Sequence, residues 1–224
     1  MNFSLVFPTR GRKQYLKELL SSINRTTREK EKTEILIAVD RDDKEDYSDI
    51  LPSFKELHIK FFKVKRNENF PKGYYNFLAK RSKGKFIMAL NDDAVFKTNY
   101  WDIIILYEVR RNKNDIVYIK TGDGETGSEF SCFPIISRKA FKVLGFFLNE
   151  DYYVWVADKN LYEIFRTVER IITINDVVIS YKRIKDACSE RIAELSAKHH
   201  PPHYDTVTEH AERLRQYINK CDKK

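Results

Sequence analysis

Three consecutive polar residues, Asn91, Asp92 and Asp93, carry the side chains best suited to chemistry in this sequence. They follow an apolar run of strand length, and residues just beyond the carboxyl end of a core strand lie where open α/β sheets bind their ligands. Hard oxygen ligands of this kind suit Mg²⁺ or Mn²⁺ bridged to phosphates. If the chain is extended here, Asn91 and Asp93 face one side and Asp92 the other, so one carboxylate could hold a metal while its neighbour contacts another part of the ligand. The alternative is an Asp-Asp turn that caps the next segment.

The segments that lead to this triplet alternate between strand and helix. We predict strands at 3–7, 34–39, 59–64 and 85–90, and helices at 12–24 and 71–82. Apolar residues at helical spacing indicate the first helix, and Pro71 stands at a helix start, where its missing N–H costs nothing. Such alternation predicts an α/β fold with a mixed, mainly parallel sheet flanked by helices.

The second half of the chain is less regular. A helix at 100–110 and a strand at 116–119 precede a glycine-rich segment at 121–129, which is typical of a mobile loop. We then predict a strand at 130–137, helices at 138–144 and about 153–165, strands at 171–174 and 177–181, and helices at 186–197 and 206–220. With no repeat and no linker, the chain is expected to form one domain over 1–183, with a helical extension, 184–224, packed on it.

Composition limits the class of protein. A chain of 224 residues with 42% hydrophobic residues can bury a sizeable core, and no apolar run approaches the roughly 20 residues that span a membrane. The three cysteines are widely spaced and lack a CxxC pair, which argues against a disulfide framework or a structural zinc site. A reducing cytosol fits best, so we expect a cytoplasmic protein without a transmembrane segment.

The net charge of +8 is compatible with phosphates, nucleic acid or anionic lipid as partners. Lys and Arg are scattered through the whole chain, with no RNA-binding signature and no long basic block. Solvated basic faces are therefore the simplest interpretation, and we expect no nucleic-acid partner. A small acidic ligand such as a nucleotide diphosphate is fully compatible with this charge.

Several short motifs follow one another along the chain. They are Pro8-Thr9-Arg10-Gly11-Arg12 after the first strand, Val39-Asp40-Arg41-Asp42 after the second, Asn67 to Gly73 before a helix, the Asn91-Asp92-Asp93 triplet, and Trp155-Val156-Ala157-Asp158-Lys159-Asn160-Leu161. In this order they resemble the nucleotide-binding half of GT-A glycosyltransferases, especially those of family 2, over roughly residues 3–165. The chain departs from the family's pattern where Asn91 replaces the first acid of Asp-x-Asp and where Ala157 replaces a Glu.

The resemblance implies a GT-A-like, Rossmann-like fold with a nucleotide-binding half over about 1–96 and an acceptor half over about 97–183. It implies a metal-dependent glycosyltransferase, of the hexosyltransferase type, that moves a sugar from a nucleotide-diphosphate sugar to a hydroxyl of a glycan or other acceptor, with inversion. UDP-sugar is the expected donor, because an Asp at the position of Asp40 can accept the N3–H of uracil. Thymine presents the same edge, so dTDP-sugars remain open.

The resemblance also suggests roles for single residues. Mn²⁺ or Mg²⁺ is the expected cofactor, with Asp93 as its ligand and His200 as a further candidate, since several GT-A enzymes place a C-terminal His in the metal shell. Asp158 is the implied general base, and Asp151 is its rival. The residues expected to bind the nucleotide are Pro8, Thr9, Asp40, Asn67 and Asp92, with Arg10, Arg12 and Lys72 as cations near the leaving phosphate.

Each role has a structural alternative. Arg12 could be a solvated first-turn residue and Asp40 an exposed loop acid, while Asp158 could pair with Lys159 or Arg166 on a helix surface. A nucleotidyltransferase of similar layout is the second enzyme class, although the first loop lacks the Gly-rich phosphate cradle that such enzymes need. A basic protein that binds nucleic acid, with a structural acidic triplet, is the non-enzymatic alternative.

Overall fold

A computed structural model describes residues 1–112, 115–124, 129–199 and 205–221 of the chain. Its strands are β1 (Phe3–Thr9), β2 (Thr33–Asp40), β3 (His58–Val64), β4 (Phe86–Ala89), β5 (Ala94–Phe96), β6 (Tyr118–Gly122), β7 (Ile135–Ser137) and β8 (Ile171–Tyr181). Its helices are α1 (Lys13–Thr26), α2 (Ile50–Ser53), α3 (Asn76–Ala79), α4 (Trp101–Asn112), α5 (Arg138–Leu144), α6 (Ala157–Thr167), α7 (Ala187–Lys198) and α8 (Asp205–Cys221). A 3-10 turn lies at Lys30–Lys32, and a π-helical turn, Pro71–Tyr75, leads directly into α3.

The strands join one eight-stranded sheet in the order β3-β2-β1-β4-β7-β6-β8-β5. The first four pair in parallel, as do β6 and β8, whereas β7 is antiparallel to both of its neighbours and β5 is antiparallel to β8. The prediction of a mixed, mainly parallel α/β sheet is confirmed. Beside β1 the strand order reverses, with β2 on one side and β4 on the other, and ligands of open α/β sheets bind at such a point.

The sheet is buried on both faces around β1. Leu16 of α1 packs with Phe3 on one face, and Leu78 of α3 packs with Val6 on the other. Every residue of β2 is buried as well. Burial on both faces explains the nearly continuous apolar sequence of these strands. This packing on both faces also holds the carboxyl ends of these strands in place.

The C-terminal extension packs on the rest of the chain. Helix α8 contacts α5 and α6, and its Ala211 and Leu214 are buried in the same apolar cluster as Leu161 of α6. The domain boundaries near 96 and 183 stay predictions. Within the described ranges, no helix combines the length and the apolar character that crossing a membrane requires.

Several predicted boundaries in the second half were wrong. The strand predicted at 130–137 is only β7, and the strands predicted at 171–174 and 177–181 form the single strand β8, because its start pairs with β6 and its end with β5. Strand β5 itself was not predicted. Helix α6 begins at Ala157 because the preceding Val156 has a left-handed φ of 75°. Within the loop predicted at 121–129, residues 125–128 lie outside the described part of the chain.

Candidate active site

The carboxyl ends of β1, β2 and β4 open into a cavity of about 490 Å³. Lys72 is exposed and is not part of its lining, and the same is true of Asp151. His200 falls outside the described residues. The predicted site residues that do line the cavity are Pro8, Thr9, Arg10, Arg12, Asp40, Asn67, Asp92, Asp93 and Asp158.

The acidic triplet forms a turn between β4 and β5, in which the Ala94 amide donates a hydrogen bond of 3.2 Å to the Asn91 carbonyl. Burial nevertheless alternates along it, since Asn91 is exposed, Asp92 is buried and Asp93 is part-buried. The triplet is therefore a turn, as the alternative interpretation held. It still places its two carboxylates in different surroundings.

Asp92 faces the first strand and the first helix. Its carboxylate accepts hydrogen bonds from the Thr9 hydroxyl at 2.9 Å and from Arg12 Nη1 at 3.1 Å. Burial raises the pKa of Asp92 to about 6, although Arg12 acts in the opposite direction. With both oxygens bonded and 5% of the residue exposed, Asp92 ties the end of β1 to the turn after β4.

Asp93 presents its carboxylate to the cavity. Burial raises its pKa, with the charge of Arg12 opposing, and none of the side chains in the described part of the chain donates a hydrogen bond to it. The described residues also contain no group of three or more His, Cys, Asp or Glu side chains arranged for a metal ion. Mg²⁺ is commonly held by one or two carboxylates and completes its shell with waters and substrate phosphates. Asp93 therefore fits such an ion, provided that a phosphate ligand shares it.

Arg12 is held from two sides. Its Nε and Nη2 donate to the Asp186 carboxylate at 2.8 and 2.5 Å, while its Nη1 donates to Asp92. Asp186 also caps α7 by accepting from the Ser189 amide at 2.9 Å, and the hydrogen bond from Arg12 is the main cause that lowers the pKa of Asp186 to about 2. Arg12 is therefore not a solvated residue. It fastens the C-terminal helix α7 to the cavity.

Asp40, the last residue of β2, is 4% exposed and is therefore not a loop acid in solvent. Its carboxylate accepts hydrogen bonds from the Tyr74 hydroxyl at 2.7 Å and from Arg10 Nη1 at 3.2 Å. Arg10 also donates two hydrogen bonds to the carboxylate of the exposed Asp42, at 2.7 and 3.1 Å. A carboxylate has about four acceptor sites, so Asp40 can still accept a further hydrogen bond.

Asp158 lies in the first turn of α6. Its carboxylate accepts a hydrogen bond of 2.8 Å from the Lys159 amide, and burial raises its pKa to about 6. Arg166, its suggested surface partner, pairs instead with Glu163. The preceding Val156 has a left-handed φ, a strained conformation that a β-branched residue rarely adopts. The backbone before α6 is thus bent where Asp158 enters the cavity.

Sequence reasoning missed several residues that line the cavity. Tyr75 is the most informative, because burial and then the charges of Asp92, Asp158 and Asp93 raise its pKa. The Tyr75 hydroxyl itself lies 3.0 Å from the Leu90 carbonyl and 3.1 Å from Asn91 Oδ1, at the start of the acidic triplet. A tyrosine in an apolar helix is typical of a core residue, so its type alone carried no signal. The lining residues that were missed include Arg66, Tyr74, Tyr75, Arg183, Cys188 and Arg191.

Comparison with known proteins relates the sequence of this chain to one family. The sequence model described as glycosyl transferase family 2 matches residues 4–144. No curated protein matches the chain by sequence.

Several solved structures have a similar fold. TarS 1–349 from S. aureus, solved with UDP, has a TM-score of 0.67 at 14% identity, over 98% of this chain and 72% of that one. A mannosyltransferase from Pyrobaculum calidifontis, PcManGT, solved with GDP-Man and Mn²⁺, has a TM-score of 0.64 at 14% identity, over 95% and 69%. GalNAc-T7, solved with UDP, GalNAc and Mn²⁺, has a TM-score of 0.62 at 13% identity, over 81% and 44%. The chain spans 43% of a longer TarS chain.

Proposed function

The chain belongs to glycosyl transferase family 2 and has the GT-A fold, and from this premise we propose that it transfers a sugar from a UDP-sugar to an acceptor hydroxyl in a metal-dependent, inverting reaction. One observation carries the proposal. Two carboxylates from different elements, Asp93 in the turn after β4 and Asp158 in the first turn of α6, line the same cavity, and burial raises the pKa of each. One would hold a metal beside the diphosphate, and the other would take a proton.

The assignment of the donor depends on Asp40. Its buried carboxylate lines the cavity and has room for a further hydrogen-bond donor. The N3–H of uracil is such a donor, and that of thymine is another, so dTDP-sugars share the prediction. Cytosine has no N3–H. UDP and GDP-Man are bound by TarS and PcManGT, respectively, which have the same fold.

Mn²⁺ or Mg²⁺ would be held by Asp93, together with phosphate oxygens of the donor and waters. When bound, such an ion acts as a Lewis acid that neutralises charge on the leaving diphosphate. PcManGT and GalNAc-T7 were solved with Mn²⁺. Whether His200 adds a ligand stays a prediction, because it lies outside the described residues.

Asp158 would act as the general base. It takes the proton of the acceptor hydroxyl as the hydroxyl oxygen forms its bond to the anomeric carbon. The bond from that carbon to the diphosphate oxygen breaks, and UDP leaves with the electron pair. A single displacement of this kind inverts the anomeric configuration. With a pKa of about 6, Asp158 is mostly ionised at neutral pH and is more basic than an ordinary Asp.

A thermal-shift panel of nucleoside diphosphates, with and without Mn²⁺, tests this function. Ligands that bind only the folded state raise the unfolding temperature. We expect UDP and dTDP to raise it in the presence of Mn²⁺, and CDP, GDP and ADP to have much smaller effects. A panel in which no diphosphate raises it, with or without Mn²⁺, would refute the proposal.

A further inference from the structure

Helix α7 lies beyond the segment that the family model matches and still forms a wall of the cavity, through Cys188, Ser189, Arg191 and Ile192. Both of its ends are tied down. At its start, Asp186 is bonded to Arg12. At its end, the His199 ring stacks on Tyr153, with 3.6 Å between ring centroids.

Glu68 forms a second contact that holds the C-terminal end of α7. Its carboxylate contacts Lys198 at 3.2 Å, Arg191 at 3.7 Å and His199 at 3.8 Å. Glu68 follows Arg66 and Asn67, both of which line the cavity near Asp40. The Glu68 carboxylate thus contacts basic side chains of α7 beside the expected nucleotide position.

Three of the arginines that line the cavity, Arg10, Arg12 and Arg191, differ in how firmly they are held. Arg10 and Arg12 each contact two carboxylates at 3.2 Å or less. The contact of Arg191 with Glu68 is longer, at 3.7 Å, and its side chain is 40% exposed. An exposed ion pair of this length contributes little. Replacing the carboxylate partner by a phosphate therefore costs less at Arg191 than at Arg10 or Arg12.

We infer that Arg191 binds the diphosphate of the donor and gives up its contact with Glu68, which keeps Lys198 as a partner. The inference rests on the proposed function and adds to it a binding residue from the C-terminal extension. A guanidinium matches the two-oxygen face of a phosphate and forms strong, charge-assisted hydrogen bonds with it. Glu68 is the resting partner of Arg191 in the absence of donor.

Calorimetric titration of UDP and of uridine, each with Mn²⁺, tests this assignment. Arg191→Gln should weaken the binding of UDP by about tenfold to a hundredfold, because one charge-assisted contact is lost. It should leave the binding of uridine unchanged. Glu68→Gln should bind UDP as tightly as wild type or more tightly, because it releases Arg191. Arg166→Gln removes the same charge from an exposed pair with Glu163 and should leave UDP binding unchanged.

The outcomes separate the two claims. Wild-type protein that fails to bind UDP would overturn both the proposed function and this inference. Tight UDP binding that is unaffected by Arg191→Gln would overturn the inference alone. Equal weakening of UDP and uridine by Arg191→Gln, or weaker UDP binding by Glu68→Gln, would mean that the pair only supports α7, and would also overturn it.

Discussion

Asp158→Asn is expected to stabilise the folded protein. Burial raises the pKa of Asp158 from its ordinary value of 3.8 to about 6. At about 1.4 kcal/mol for each unit of pKa, ionisation of this carboxylate costs the folded state about 3 kcal/mol at pH 7. Asn keeps the size of Asp and can still accept the hydrogen bond from the Lys159 amide. Most of that cost should therefore disappear in the variant.

The gain in the free energy of unfolding should depend on pH. A carboxyl group whose pKa is higher in the folded state binds its proton more tightly there, so it lowers stability as pH rises from about 4 to about 6. The variant lacks this group. Its advantage over wild type should be small near pH 4, increase through pH 6 and remain constant above about pH 7. Urea unfolding at several pH values measures this difference.

The same change should remove the proton acceptor. If Asp158 is the base, kcat should fall by about 10²- to 10⁴-fold, with donor affinity near that of wild type. Wild-type kcat should rise with pH through about 6, because the base must be ionised, and the variant should lose the contribution of Asp158 to that rise. Asp151→Asn is the control, since Asp151 is exposed and outside the cavity lining, and it should change neither stability nor kcat.

Two results would refute this reasoning. An Asp158→Asn variant that is no more stable than wild type at pH 7 would show that the carboxylate is not desolvated. A variant that keeps most of its kcat, or a larger loss in Asp151→Asn, would show that Asp158 is not the base.

Three further predictions concern the nucleotide and α7. Asp93→Ala should keep the apo fold, because the residue lies in a turn, and should abolish the dependence of UDP stabilisation on Mn²⁺ in a thermal-shift assay; an unchanged dependence would rule out Asp93 as the metal ligand. Asp40→Ala should weaken the binding of UDP by on the order of 1.5–3 kcal/mol and remove the preference for UDP over CDP in calorimetry. A preserved preference would contradict the contact of Asp40 with the nucleobase. Asp186→Ala removes a helix cap and the partner of Arg12, so it should cost about 1 kcal/mol of stability and accelerate hydrogen exchange in α7; unchanged exchange would show that α7 is held by other contacts.

The sheet and its ligand-binding edge were predictable because their signal is local. Apolar runs at β1, β2 and β4 end in polar residues, and the carboxyl ends of neighbouring parallel strands meet at one edge. That reasoning predicted a ligand-binding position for Asp92 and Asp93, and the family resemblance predicted one for Asp40; all three line the cavity. The family and the GT-A fold, which rested on the order of the motifs, are confirmed.

The contacts that set the chemistry of the site were not predictable, because their partners are far apart in the chain. Arg12 meets Asp186 across 174 positions, and Thr9 meets Asp92 across 83. The continuous β8 depends on pairing with two different neighbours, which no local pattern reveals. The left-handed Val156 is a poor fit to its own residue type, so sequence propensity placed the start of α6 too early.

Proton NMR of a UDP-sugar incubated with the protein and Mn²⁺, with water as the acceptor, tests the proposed transfer most directly. We predict release of UDP above the uncatalysed rate, a first-formed free sugar with inverted anomeric configuration, and loss of both in Asp158→Asn. A sugar with retained configuration would contradict the single displacement. Failure to release the nucleotide from any UDP-sugar or dTDP-sugar would contradict transfer from these donors.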